Sequence, residues 1–583
     1  MKSDPFLEDA LAHDAQVRAA GLDAWIGAEP TFTRKESMEA PWLFEAEGGD
    51  KAARARALLV ALAPRIEGEV TLLAVLGRHF PGEPAPRFAL GARWSREKKA
   101  RPAVDASGLG SAPVPVPVVD ACELAWLTVT PDPGVVEVNT APAADLADFL
   151  QHARAVYAAA AEAGLSPVRY LYNGEARDSG GGGQISLGGP SPARSPFFLH
   201  RHLLPSLLRY ANHHPALSYA FAGACVGSAG QGPRPDEGVR ERFDELGLAL
   251  DLLTHAETAP SPEELWRELA PLLVDGSGNS HRAEINVEKL WNPGLPDRGK
   301  LGVVELRSLA MQETPERLTA IAALFRALLA RFLRAPFTEA LVDWGSRLHD
   351  RFALPSVLAE DLAAILADLD AHGVGLGPAL TRELATPAPP IARTVIDGAE
   401  LVVSRAKEFW PLLGDTASQE SAGARMVDAS TARVEIAVRV PAGSSPGEVM
   451  VNGVGVPLHA SRTAGGPHVA GARYRAFVPE PGLHATLAAQ DPLEIVWARG
   501  SSGASLALHG WIPGGGVYDS LPADAEDAAQ RRAARAVVRR VEAKEPPLAA
   551  RCARGTLTVD LRRATLAEAM SPFATDTSHV NEV

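Results

Sequence analysis

Cysteine is scarce: Cys122, Cys225 and Cys552 are the only three in 583 residues. They lie far apart and form no CxxC pair, which excludes a disulfide framework and a cysteine zinc site. No run of about 18 apolar residues occurs, so no segment is expected to span a membrane. The first residues, MKSDPFLEDALAHDAQ, are polar and acidic rather than signal-like, and a cytoplasmic location is expected. Positive charge is also short. The 57 Lys and Arg against 71 Asp and Glu leave a formal net charge of −14, which argues against nucleic acid or an acidic membrane as partner. The GxSxG elbow is missing, since GACVGSAGQG (223–232) does not fit it.

What is present is ordinary for a globular enzyme: 46% hydrophobic and 22% charged residues, in a chain long enough for two or three domains. Residues 6–20 read as an amphipathic helix, 24–32 as a strand, 51–62 as a helix, and 70–77 and 89–94 as strands. Residues 95–120, with APVPVPVVD, read as an extended connector. Asp145 can cap a helix running to Gly164, and Thr314 with Pro315 starts another with a strong apolar face. LSYAFAGACVG (217–227) reads as a buried strand, and 277–291 and 300–311 as two more. From about 395 the texture changes to short alternating runs separated by turn residues, which predicts a β-sandwich over 395–520. Residues 524–545 read as a helix and the tail beyond as mobile.

Chemistry is concentrated in VTPDPGVVEVN (129–139). Side chains two apart on a strand share a face, so Glu137 and Asn139 point one way while Val136 and Val138 point the other. The same grammar recurs in Glu29/Thr31, in Arg282/Glu284/Asn286/Glu288 and in Glu305/Arg307. Acidic oxygens with an Asn are hard ligands suited to Mg²⁺ or Mn²⁺, and interleaved arginines suit phosphate oxygens. A solvated sheet face produces the same pattern, so the residues alone leave both readings open. The glycine run 180–183 lacks the Lys-Ser/Thr of a phosphate loop and precedes a strand, which favours a tight turn or a close backbone approach. The His200/His202 and His213/His214 pairs have no third ligand nearby in sequence, and exposure is expected.

The blocks IGAEPTF (26–32), FPGEPAPRFAL (80–90), VTPDPGVVEVNTAPA (129–143), GGGGQISLGG (180–189), GNSHRAEINVEKL (278–290) and LGVVELRS (301–308) resemble the bacterial amidoligase family catalogued as domain of unknown function 2126. That family is grouped by fold with glutamine synthetase and glutamate–cysteine ligase. The resemblance implies an α+β chain: a glutamine synthetase-like catalytic domain over 20–390, whose six-stranded antiparallel sheet curves around divalent ions and ATP, then the β-sandwich over 395–520 and a 521–583 tail. It implies an ATP- and Mg²⁺-dependent ligase that phosphorylates a carboxylate and lets an amine attack the acyl phosphate, with a peptide or amino acid as substrate. By position it implies Glu29, Glu137, Glu284 and Glu305 as metal carboxylates, and Asn139, Gln184, Arg78 and Arg307 as nucleotide contacts. Arg307, Arg282 and Arg87 fall to catalysis.

Three departures accompany the resemblance. Gln184 stands where relatives carry a histidine, Arg78 where a lysine is usual, and a long insert is reduced to residues 95–127. Glutamine accepts a hydrogen bond but carries no proton. These departures motivate the alternative, a catalytically silent binding or scaffold protein on the same fold; metal-dependent hydrolysis at the acidic face is a third and weaker reading.

Overall fold

The structure is a computed structural model that describes residues 4–34, 49–76, 88–95, 103–116, 120–132, 134–295, 298–414, 426–463, 465–479, 482–542 and 556–563. Arg78, Glu83 and Arg87 lie outside them. Among the described residues, twelve strands precede residue 310: β1 (Trp25–Arg34), β2 (Glu69–Leu76), β3 (Phe88–Ser95), β4 (Ala103–Gly108), β5 (Leu124–Asp132), β6 (Val135–Asn139), β7 (Leu165–Ser166), β8 (Val168–Tyr170), β9 (Ala176–Asp178), β10 (Gly183–Gly188), β11 (Ile285–Asn286) and β12 (Val304–Leu306). Strands β8 and β9 form a small hairpin, and the other ten build one sheet in the order β11-β12-β10-β1-β6-β5-β3-β2-β4, with β7 also on β1. The sheet has ten strands where the resemblance implied six. It is antiparallel except for β4, which runs parallel to β2 and lies inside the stretch expected to be a bare connector.

Helices cover the apolar face. The helix Pro315–Arg334 starts where Thr314 Oγ1 accepts from the backbone N–H of Arg317 (3.2 Å), with Pro at the first helical position. Most of its residues are buried, among them Ile321, Leu324 and Leu328, in one core with Ile26, Ile185 and Leu306 of the sheet. The helix Leu146–Glu162 begins as expected, with Asp145 accepting from Asp148 N at 2.8 Å. Its entry is also capped from afar: Asp14, on the helix Pro5–Ala19, accepts from Leu146 N (2.8 Å) and Ala147 N (3.1 Å) and pairs with the buried Arg326. A buried carboxylate at a helix N-terminus with a guanidinium beside it is fully partnered, which is what lets three helices lock together through charges in the core.

Three sequence expectations are corrected here. LSYAFAGACVG is no strand: Ala216–Tyr219 is a helical turn, followed by loops and the short 3₁₀ turn Gly227–Ala229. The segment 277–291 pairs only through β11 and then coils into the helix Glu288–Trp291, and of 300–311 only β12 is strand. Apolar content suggested extended structure, but loop backbone bonds, such as Glu284 N to Pro233 O at 3.1 Å, replace the ladder on either side.

None of the described strands after residue 390 joins the ten-stranded sheet. One sheet there is ordered Ala392–Ile396, Ala399–Arg405, Thr431–Arg439, His468–Arg475, His459–Ala460; another runs Val454–Val456, Glu448–Val451, Leu493–Arg499, Ser502–Leu508, Ala536–Glu542. Side chains of both, including Leu401, Ile436, Ile495 and Leu506, share one apolar core with Trp497. The helix expected over 524–545 ends at Ala534, and Ala536–Glu542 then pairs with Ser502–Leu508. Thr558–Asp560 adds to His468–Arg475 in parallel, so part of the expected tail is sheet.

Candidate active site

Register builds the site. Residues directly opposite one another in an antiparallel pair put their side chains on the same face. Glu29 of β1 is opposite Gln184 of β10, and Thr31 is opposite Glu137 of β6. On the other side Ser186 of β10 is opposite Glu305 of β12, which is opposite Asn286 of β11. Glu29, Thr31, Gln184, Ser186, Glu305, Asn286 and Glu137 therefore line one polar face across five strands. Ala28, Ile185, Leu306 and Ile285 share the opposite face and enter the core. The two-residue alternation read from single strands is the cross-section of that face.

Glu29, Asp132, Val135, Glu137, Gly180, Gly181, Gln184, Gln231, His281 and Arg307 line a cleft of about 240 Å³ above it. The glycine run forms its floor by close approach. Thr31 Oγ1 donates to Gly182 O at 2.5 Å, and a Cβ on Gly181 would stand 2.8 Å from Thr31 Cγ2. Gly180 and Gly182 take φ of +91° and +86°, open to glycine at little cost. Gln184 Nε2 donates to Gln231 Oε1 (3.2 Å), whereas the buried Gln184 Oε1 has no partner among the described residues. A buried acceptor left unpaired at a cleft wall is a docking point for an N–H of a ligand. Asn139 Nδ2 donates to Glu137 Oε1 at 2.8 Å and fixes that carboxylate on its strand.

Charge is balanced within the site. Lys289, on the short helix Glu288–Trp291, donates to Glu29 Oε1 at 2.6 Å and pairs with Glu305 Oε2 at 2.8 Å. Arg307 pairs with the other oxygen of Glu305. Burial by itself would raise the Glu305 carboxyl, but the charges of Lys289 and Arg307 outweigh it and bring it down to about 2. Burial would likewise depress Lys289, and the two carboxylates overcome this and lift it above the ordinary lysine range. His281 Nδ1 is 2.9 Å from Glu288 Oε2, so Glu288 holds a histidine of the cleft wall.

The family model described as "Putative amidoligase enzyme (DUF2126)" matches residues 8–104 and 117–562. This chain belongs to that amidoligase family. No curated protein matches it. Among solved structures, "GmaS/ADP complex-Conformation 1" is similar at 13% identity, covering 65% of this chain and 71% of that one, with a TM-score of 0.31. "Apo GmaS without ligand" is similar at 13% identity over 65% and 70%, with a TM-score of 0.27.

Two arginine and glutamate assignments of this amidoligase-family chain need correction. Glu284 does not reach the cleft: its carboxylate accepts from Ser218 Oγ and lies 3.7 Å from Arg234 Nη1, and burial pushes its pKa up to about 7. Arg282 turns to Asp275 (2.7 Å) and to the carbonyls of Ser228 (2.6 Å) and Gly230 (2.7 Å), where it braces a loop. Both precede the two residues of β11, so the strand alternation that put them beside Asn286 does not extend to them. The four carboxylates drawn from the sequence consequently do not form one cage, and among the described residues no three His, Cys, Asp or Glu side chains are grouped to hold a metal ion. Among the described residues no helix is long and apolar enough to cross a membrane.

Sequence reasoning missed Lys289, His281, Gln231 and Asp132. Only the dense polar spelling around HRAEINVEK hinted at the first two. Gln231 arrives on a loop, which carries no periodic signal, and Asp132 is the last residue of β5, where the strand turns into β6.

Proposed function

We propose that this chain is an ATP- and Mg²⁺-dependent ligase that joins a carboxylate to an amine through an acyl phosphate, Mg²⁺ (or Mn²⁺) arriving with ATP as the substrate complex. The observation that carries the reading is the convergence of Glu29, Glu137, Gln184 and Arg307 on one cleft in a chain of the amidoligase family. The substrate carboxylate attacks the γ-phosphorus of ATP, and ADP leaves with the electron pair of the cleaved P–O bond. The amine, bound as its ammonium form, gives up one proton to become the nucleophile, then attacks the acyl carbon, expels phosphate and loses a second proton as the amide forms. Arg307, fixed by Glu305, would spread charge on the transferring phosphoryl oxygens. Gln184 Oε1, the unpartnered acceptor, would take an N–H of nucleotide or amine, and Glu137 and Asp132 at the wall favour a cationic amine. A resident multi-ion centre is not part of the proposal, because Glu305 is covered by two cations and Glu284 lies elsewhere.

A peptide or amino acid is proposed as the acid, since a cleft this small and polar suits a compact charged end of a longer molecule. In the same proposal residues 20–390 form a glutamine synthetase-like catalytic domain with a curved sheet, 395–520 an accessory β-sandwich, and the setting is the cytoplasm, where ATP is available.

Hydroxylamine tests it. It intercepts an acyl phosphate as a hydroxamate, so ATP, a panel of amino acids and peptides, and hydroxylamine should give a hydroxamate together with ADP for at least one acid. A second reading, the silent scaffold, is favoured by the neutralisation of Glu29 and Glu305 by Lys289. Nucleotide binding without hydroxamate from any acid would replace the first reading by the second.

A further inference from the structure

The resemblance calls for divalent ions at Glu29 and Glu305, and the structure puts a side chain there instead. We propose that the Lys289 ammonium is the resident cation of the Glu29–Glu305 pair and excludes divalent ions from these two carboxylates. Its Nζ stands 2.6 Å from Glu29 Oε1 and 2.8 Å from Glu305 Oε2, bridging two strands whose acids lie 276 residues apart in sequence. These are charge-assisted hydrogen-bond distances, and each occupies an oxygen lone pair that a metal ion would need. The remaining oxygen of Glu305 is taken by Arg307.

The ammonium is built in rather than draped across the site. Lys289 sits in the helix Glu288–Trp291, and its own carbonyl accepts from Leu301 N at 3.0 Å, three residues before β12 begins. Its side chain is 27% exposed, and its ammonium is held by ion pairs to both carboxylates. The two carboxylates of this pair are matched by two cations, Lys289 and Arg307, so the pair itself carries no net negative charge. A Mg²⁺ or Mn²⁺ ion also demands near-octahedral oxygen ligands at about 2.1 Å, which an ammonium between the two acids denies it.

This rests on the ligase reading only for the expectation that ions belong here; the test counts ions and needs no turnover. The full chain, free of nucleotide, is dialysed against Mn²⁺ and the bound ion counted by electron paramagnetic resonance. Lys289→Met should bind one Mn²⁺ per chain more than the wild type, and the added ion should vanish in Lys289→Met/Glu305→Gln. Lys289→Arg, which keeps the charge, should match the wild type, and so should Glu305→Gln alone. An unchanged count in folded Lys289→Met overturns the proposal. So does the loss of an ion in Glu305→Gln alone, or the gain of one in Lys289→Arg, two arms that stand even if Lys289→Met does not fold. A chain that gives no hydroxamate but shows the added Mn²⁺ would sink the ligase reading and leave this one intact.

Discussion

Replacing Arg307 by alanine separates a phosphate-binding arginine from a structural one. Arg307 lines the cleft and pairs with Glu305, whose other oxygen is held by Lys289. Against burial, those two cations hold the Glu305 carboxyl well below its ordinary value, so the pairing adds to native stability at neutral pH. Lys289 stays on Glu305 in the variant, so Arg307→Ala should cost less than the ~3–5 kcal/mol of a buried carboxylate stripped of its partner and leave the chain folded. The sign follows from the depressed pKa: this stabilisation is complete above pH 4.5 and is lost as pH falls towards 2, so wild type and variant should converge in acid. The loss in ATP-dependent hydroxamate formation should be far larger, about 10²–10³-fold, as for removal of a donor to developing charge. Arg307→Lys should recover the stability in part and little of the rate, because an ammonium lacks the planar fork. Urea unfolding at neutral and acidic pH, beside the hydroxamate assay, reads both quantities. Turnover equal to wild type in a destabilised Arg307→Ala would refute the phosphate role and leave a plain ion pair.

Gln184→His should retain or raise ligation, since an imidazole can offer an acceptor where Gln184 Oε1 now lacks a partner; loss of hydroxamate formation in a folded variant would show that the amide itself is needed. Gly181→Ala should destabilise by about 1–3 kcal/mol, because its Cβ would press on Thr31 Cγ2 at 2.8 Å, and a thermal scan showing no loss would contradict the tight floor. Burial pushes Glu435 up to about 7, although it accepts from Ser356 N (2.8 Å) and Ser356 Oγ (2.7 Å) at the start of the helix Pro355–Ala371. The native state therefore keeps a proton that the unfolded chain has lost, and the Glu435 contribution to stability should fall as pH rises from about 4.5 to about 7. Comparison of wild type with Glu435→Gln should show a steeper fall in the wild type, because Glu284 contributes equally to both, and equal slopes would sink the assignment.

Local structure was written in the sequence wherever its cause is local. Asp145 and Thr314 cap the helices they were expected to cap, because a short oxygen-bearing side chain needs only the next turn to find its partner. The polar spelling of β1 and β6 identified Glu29 and Glu137, because a period of two fixes the face of a strand whatever it pairs with. The same rule misled at Arg282 and Glu284, where apolar alternation continued but the strand did not, and a short strand transmits no face to residues outside it.

What only the tertiary structure decided is which faces meet. Register between β1, β10 and β12 puts Gln184 opposite Glu29 and Ser186 opposite Glu305, and pairing across more than a hundred residues leaves no periodic mark in the chain. Lys289 is the clearest case. Its spelling, a lysine between Glu288 and Leu290, is that of many surface helix turns, and its place between Glu29 and Glu305 exists only because the turn Glu288–Trp291 folds back over the sheet edge. Faces follow from backbone geometry within a few residues; partners follow from burial and charge balance across the whole chain, and those are settled only when the strands have paired.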